Sequence, residues 1–365
     1  MKRIIFICGV VLTLILASCS TDGDPCAHDW SAWAVTVEPG HCVGATHSDD
    51  GEAARACAIC GETEKRTICG GTEGLAITDG EVTGIDTAGA VTHLCIPDFD
   101  PDTGEPVTSI GVNAFSPGYV GDPLLTSVRL GANVEIIDDY AFFKCKDLAT
   151  VTFVAGSKLE TIGGNAFTET GLTSIEIPAS VTEIGGGAFA SCDDLTTITF
   201  ASGSVLEIIG VNTFYESGLT IIEIPAGVTE IDKETFYGCE NLVTVTFAPG
   251  SKLKTIGESA FNTTDLNGIE IPAGVTEIGI AAFYWSALTS ITIPAGVTEI
   301  GWIAFADCED LAIVTVLATA PPELGTDVFK NNHATLQIYV PEDSVTAYKA
   351  ATNWDAYASI IQAIP

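Results

Sequence analysis

The chain has 365 residues, 47% hydrophobic and only 17% charged, with 48 acidic side chains against 14 basic ones. That mix is too apolar for a disordered acidic tail and apolar enough for a large, strand-rich core. The shortage of clustered Lys and Arg excludes nucleic acid as a partner, because phosphate contacts need them.

Residues 1–18 read as a signal peptide. Lys2 and Arg3 form a positive start, and Ile4–Leu16 is an apolar run broken only by Gly9 and Thr13. The run is too short to span a bilayer and the right length for a signal core. It leads into Leu16-Ala17-Ser18-Cys19, which resembles the lipobox of bacterial lipoproteins. That resemblance implies cleavage before Cys19 and lipidation of its thiol. The acidic chain gains nothing from anionic headgroups, so the lipid must do the anchoring.

Residues 19–25 form a linker, and residues 26–69 a Cys/His-rich module. The module carries Cys26, His28, Trp30, Trp33, Cys42, Cys57-Ala-Ile-Cys60-Gly61 and Cys69. It has few other apolar residues and needs a staple to fold. Two staples stay open. With Cys95 the cysteines number six, an even count that suggests disulfides in an exported chain. The CxxCG turn instead resembles a zinc knuckle, with structural zinc held by His28, Cys42, Cys57 and Cys60, and Cys26 as the alternative to His28.

Residues 74–340 are a repeat array. Phenylalanines recur at 115, 142, 167, 189, 214, 236, 261, 283, 305 and 329, in steps of 22 to 27 residues. From Phe142 to Phe283 two alternating units make a 47-residue double unit. A period in the twenties with recurring Leu and Ile signals a solenoid. One unit, Leu172–Cys192, shows the physics. Leu172, Ile175 and Ile177 point inward, Pro178 ends the strand, and Val181 and Ile184 bury a second edge. Gly185–Gly187 permit a tight turn, and Ala188-Phe189 plugs the coil. No unit buries both open ends alone, so coils must stack. Alternate units contain SKLETIGGNAF or SKLKTIGESAF, with three extra residues that read as a longer loop on one side.

The pattern LxxIxIPxxVTxIGxxAFxxC resembles the BspA-like leucine-rich repeats of bacterial surface proteins. The resemblance implies a β-rich leucine-rich-repeat solenoid of short strands and turns. Gly74–Pro97 reads as an N-terminal cap hairpin, and residues 341–365 as a helical C-terminal cap covering the last apolar edge. Asp98–Gly104 suggests a calcium loop, but its Gly is late, Pro101 intrudes and Ser109 stands at position twelve, so it reads as a surface excursion.

Between the last two inward positions of each strand, one residue must face out. These residues form a ladder through Glu176, Thr199, Glu223, Thr246, Glu270 and Thr292, flanked by Arg129, Thr152 and Thr315. Its carboxylates repeat about every 10 Å, which keeps like charges from facing each other directly. A second row runs through Glu183, Glu230, Glu277 and Glu299. The ladder reads either as an acidic binding face or as a device for solubility copied by duplication. Cys145, Cys192, Cys239 and Cys308 each follow a phenylalanine by three residues and read as buried thiols beside the plug. No phosphate loop or nucleophile motif is present, so the chain reads as a binding protein rather than an enzyme, with no catalytic residue. The family resemblance implies an adhesin of the bacterial cell envelope, at the outer membrane or cell surface, recognising a host matrix protein, another cell surface or a glycan. The competing reading is a structural lipoprotein of the envelope.

Overall fold

The structure, a computed structural model, describes Thr72 and residues 74–85, 91–116 and 124–365, together with the backbone of short strands at Phe6–Ile7, Val10–Val11, Ala34–Val35, Gly51–Ala56 and Thr63–Ile68. The repeat array winds into a β-solenoid of about 11 turns. A typical coil contributes a four-residue strand such as Ser174–Ile177 to one wall. It then contributes a two-residue strand such as Glu183–Ile184 to a second wall. All pairings between coils are parallel and in register, for example Ile175 with Ile198 and Ile184 with Ile209.

The first wall is interrupted. One four-stranded group ends at Thr244–Phe247, and the next begins at Ser290–Ile293. The coil between them carries Asn267-Gly268 where a strand should begin, and only a single bridge, Glu270 to Thr292, survives there. Glycine weakens a strand interior because it has no side chain to pack and more backbone freedom to lose.

The inward positions expected in Leu172–Cys192 are all buried. The phenylalanines form one continuous spine. Successive rings from Phe115 to Phe329 stack with centroids 5.1 to 5.8 Å apart. Beside each ring the backbone N–H reaches the next coil, as from Phe236 to the Ala260 carbonyl at 2.9 Å. Threonines stitch coils further: the hydroxyls of Thr196, Thr220 and Thr298 donate to the carbonyls of Thr173, Thr196 and Thr276 in the preceding coils.

Each turn from Phe142 to Phe329 contains two residues in the left-handed region, one two positions before the ring and one two positions after. Asn165 (φ 54°) and Glu169 (φ 55°) flank Phe167, and Ile303 (φ 48°) and Asp307 (φ 55°) flank Phe305. The glycines of the VTEIG motif serve another purpose. A Cβ on Gly279 would lie 2.6 Å from the Gly257 carbonyl carbon, and one on Gly301 2.5 Å from the Ile280 nitrogen. The same holds for Gly185, so of the Gly185–Gly187 triplet only Gly187 (φ 67°) supplies a left-handed turn. The first glycine lets adjacent coils approach. The extra residues of alternate units form exposed turns, with Gly156, Gly203 and Gly250 at φ 79 to 81° and open space around them.

Both caps are present. Leu75–Thr78 and Glu81–Ile85 form an antiparallel hairpin whose turn, Asp79-Gly80, has positive φ at both residues, as a two-residue hairpin requires. At the other end, the helix Val345–Ala350 and two short 3₁₀ turns lay Tyr348 and Trp354 over the spine. Tyr348 donates to the Ala318 carbonyl at 2.7 Å, and Trp354 Nε1 to that of Pro322 at 2.9 Å. The cap is not wholly helical: Ile361–Ala363 adds a parallel strand beside Gln337–Val340. The phenyl spine therefore ends on Trp354 and Tyr357, whose rings meet Phe329 at 48° and 79°.

Candidate binding face

The ladder forms from the strand wall as its spacing predicts. Glu176, Thr199, Glu223, Thr246, Glu270 and Thr292 are all exposed. Glu176 pairs with Thr199, Glu223 with Thr246, and Glu270 with Thr292. Thr152 is exposed as well, whereas Arg129 and Thr315 are half-buried. Around the ladder the outward residues are hydroxyls at Thr173, Ser174, Thr196, Thr220, Thr289 and Ser290, interspersed with exposed apolar side chains at Ile221, Val243 and Ile313. The Gly268 break divides the ladder, leaving Glu270 and Thr292 with the C-terminal coils.

The second row differs from the first. Glu183, Glu230, Glu277 and Glu299 are exposed, and the row gains a member that sequence reasoning missed. Glu277 pairs with Glu299, and Glu299 with Glu323, so three carboxylates stand on adjacent strands about 4.8 Å apart. Like charges placed directly opposite destabilise a sheet. Glu323 was hidden because Pro321-Pro322-Glu323-Leu324-Gly325 replaces the usual VTEIG, although the Phe329 step would have aligned it. Burial, then the nearby charges of Asp232 and Glu277, hold the Glu230 carboxyl above its ordinary range.

The coil cysteines are buried thiols. Each thiol donates to the carbonyl of the preceding coil's phenylalanine: Cys145 to Phe115 at 3.2 Å, Cys192 to Phe167 at 3.0 Å, Cys239 to Phe214 at 3.0 Å and Cys308 to Phe283 at 3.1 Å. Hydroxyls of Thr170, Ser217 and Ser286 occupy the same column and touch the next thiol. Burial pushes the Cys239 thiol up to about 11 and raises Cys192 and Cys308 in the same direction, which suppresses the nucleophilic thiolate.

The Asp98–Gly104 excursion is tied into the protein by its acids. Asp100 accepts from the Asp102 N–H and the Thr103 hydroxyl, both at 2.8 Å, and Asp98 Oδ1 accepts from the Ala132 N–H at 2.6 Å. Two of the three carboxylates of this segment are thus engaged by protein donors. Among the described residues no group of three or more His, Cys, Asp or Glu is placed to hold a metal. Cys19, His28, Cys42, Cys57 and Cys60 lie outside the described residues. Cys95 is buried and disulfide-bonded. Among the described residues no helix is long and apolar enough to cross a membrane.

Stacked parallel coils with a repeating LxxIxI strand and a phenylalanine plug define a leucine-rich-repeat solenoid. The family model described as BspA type Leucine rich repeat region (6 copies) matches residues 108–208 and 207–337, well over half of the chain. The chain belongs to this family. Among solved structures, a leucine rich cell surface protein of Faecalibacterium prausnitzii is 23% identical, with a TM-score of 0.41, over 80% of this chain and 92% of that one. A leucine-rich repeat protein of Bacteroides ovatus is 20% identical, with a TM-score of 0.44, over 80% and 97%. The pneumococcal vaccine antigen PcpA is 18% identical, with a TM-score of 0.37, over 86% and 95%. No curated protein matches the chain.

Proposed function

We propose that this protein is a lipid-anchored binding protein of the bacterial cell surface, acting as an adhesin through the exposed wall of its solenoid. The observation that carries the reading is the ladder itself. Three Glu–Thr pairs of outward residues stand in register along the strand wall and are exposed, the third lying beyond the Gly268 break. The hydroxyls around them add hydrogen-bonding capacity without opposing charge. A ladder of this kind suits a basic protein patch or a hydroxyl-rich glycan, and electrostatic complementarity would give it selectivity and on-rate more than raw affinity. Cys19 would hold the lipid, and residues 26–69 would act as a spacer between membrane and solenoid. Zinc on His28, Cys42, Cys57 and Cys60 remains part of the proposal for that spacer. Cys95, held in a disulfide, stands outside that ligand set.

The test is a binding screen of the lipid-free mature chain against matrix proteins and glycans, repeated with Glu176→Gln/Glu223→Gln/Glu270→Gln. The triple variant should bind a basic partner more weakly and with a flatter salt dependence. Unchanged affinity would return the ladder to a role in solubility.

A further inference from the structure

We propose a second docking surface, on the turn edge of the coils plugged by Phe283 and Phe305, fitted to a basic segment of a protein partner. The inference rests on the reading of the chain as a surface binding protein but places an additional contact away from the Glu/Thr ladder. Three large apolar side chains project there: Trp285 is 59% exposed, Trp302 50% and Ile280 44%. Ile280 and Trp302 hold equivalent positions in adjacent coils, linked by a 2.9 Å hydrogen bond from the Ala281 N–H to the Trp302 carbonyl. Trp285 closes the same turn five residues after Ile280, its ring packed along Tyr284 with centroids 6.3 Å apart.

The fold does not ask for these residues. Trp285 sits at φ 58°, where neighbouring coils place Gly238, Thr263, Asp307 and Asn331. Ile303, directly after Trp302, is a β-branched residue at φ 48°, a rare conformation for its type. The left-handed turn recurs along the stack, so these two coils stand apart by the large apolar residues placed on it.

Charge selects the occupant. The unbroken carboxylate run Glu277–Glu299–Glu323 starts in these two coils and continues into the next, with Glu277 and Glu299 each three residues before Ile280 and Trp302. Asp307 approaches Tyr284 closely enough to raise its hydroxyl's pKa, after burial as the main cause. Lys330, on the same side, is already paired with Asp327 at 3.2 Å. An aromatic platform bordered by uncompensated acids suits Arg or Lys side chains, which stack on tryptophan and reach the carboxylates beyond it. Tryptophan is also among the residue types that dominate binding energy at protein interfaces.

The experiment uses the lipid-free mature chain and three probes: a dodecapeptide alternating Arg and Gly, one alternating Glu and Gly, and a neutral hexasaccharide. Tryptophan emission and fluorescence anisotropy report binding. The Arg peptide should bind and shift the emission, with affinity falling as salt rises. Trp285→Asn/Trp302→Thr, which installs residues used at these positions in neighbouring coils, should weaken binding roughly tenfold or more. Glu176→Gln/Glu223→Gln/Glu270→Gln should leave it within about twofold. Three results would overturn the proposal: no binding of the Arg peptide, binding unchanged in the tryptophan variant, or preference for the hexasaccharide. If Arg-peptide binding is lost only in the ladder variant, this inference fails while the ladder reading stands. Failure of the matrix and glycan screen alone would touch only the wider reading.

Discussion

Replacing Phe236 with Ala tests the spine on which the solenoid depends. The ring is fully buried and stacks on Phe214 at 5.3 Å and on Phe261 at 5.2 Å, nearly parallel to both. Truncating a buried phenylalanine costs about 3–5 kcal/mol, counting lost transfer energy and the cavity left behind. Two aromatic contacts vanish as well, each worth about 0.5–1.5 kcal/mol beyond its area, which places this site at the upper end of the range. The cavity cannot collapse easily. Hydrogen bonds from Phe236 to Ala260 and from Phe214 to Thr235 fix the coil spacing on both sides. Because a repeat contacts only its neighbours, the damage should be local before it is global. Urea unfolding followed by circular dichroism should show a lower midpoint and a broadened or split transition. Limited proteolysis should open first between the coils of Phe214 and Phe261. A loss below about 1.5 kcal/mol with an unchanged cleavage pattern would refute a spine that carries stability coil by coil.

Three further outcomes follow from the same geometry. Ile303→Gly should stabilise the protein by about 1 kcal/mol, since an L-residue in the left-handed region costs roughly 1–2 kcal/mol and the added chain entropy returns part of that; a lower melting temperature would contradict it. Glu299→Gln removes the middle charge of three in-register glutamates and should stabilise by about 0.5 kcal/mol at low salt, with the gain fading near 1 M salt as the Debye length falls to about 3 Å. The third concerns pH. Burial is the main cause raising both Glu230 and Asp138, helped by Asp232 and Glu277 in one case and Asp139 in the other. Raised folded-state values mean the folded protein holds more protons than the unfolded chain in that window, so these groups destabilise above their folded pKa and cease to do so as pH falls through it. Thermal melts should therefore show this destabilisation easing as pH falls from neutral into the carboxylate range, and Glu230→Gln should reduce the gain; a pH dependence unchanged in the variant would refute the assignment.

The parts of this fold that sequence could reveal are those where one residue type is compulsory. Only a planar ring of phenylalanine's size fills the plug, so ten phenylalanines marked ten coils, and the inward Leu, Ile and Val of the strand and its second edge followed from spacing. The left-handed pairs around each plug were invisible because their residues vary: Asn165, Glu234, Ala281 and Ile303 all take the same conformation. The backbone path demands the geometry there, and inter-coil hydrogen bonds such as that from the Ile303 N–H to the Thr326 carbonyl hold it whatever the side chain. The strand Ile361–Ala363 was hidden by a segment that reads as helix, because a strand's pairing partner lies outside its own sequence. The ladder was legible for the opposite reason, since alternation along a strand decides which side chains face out. What the ladder holds was not legible: a face shows its chemistry, while its ligand is encoded in another molecule.

The architecture separates two kinds of position. Inside, each column is bound by its neighbours above and below, so a substitution survives only if it makes the same contact. Ser286 stands where the 47-residue period places a cysteine, and its hydroxyl lies 3.3 Å from Cys308 Sγ, just as Ser217 meets Cys239 three coils earlier. That exchange alters the sequence and leaves the packing intact. Outside, nothing in the stack dictates identity beyond compatibility with a strand or a turn. A departure there is not compelled by the core, and its cost must be offset by something other than packing. Trp285 and Trp302 are departures of this second kind, and so is the glutamate run beside them. In a protein built by copying one unit, the positions that refuse the copy on the outer surface carry the most information about what it touches.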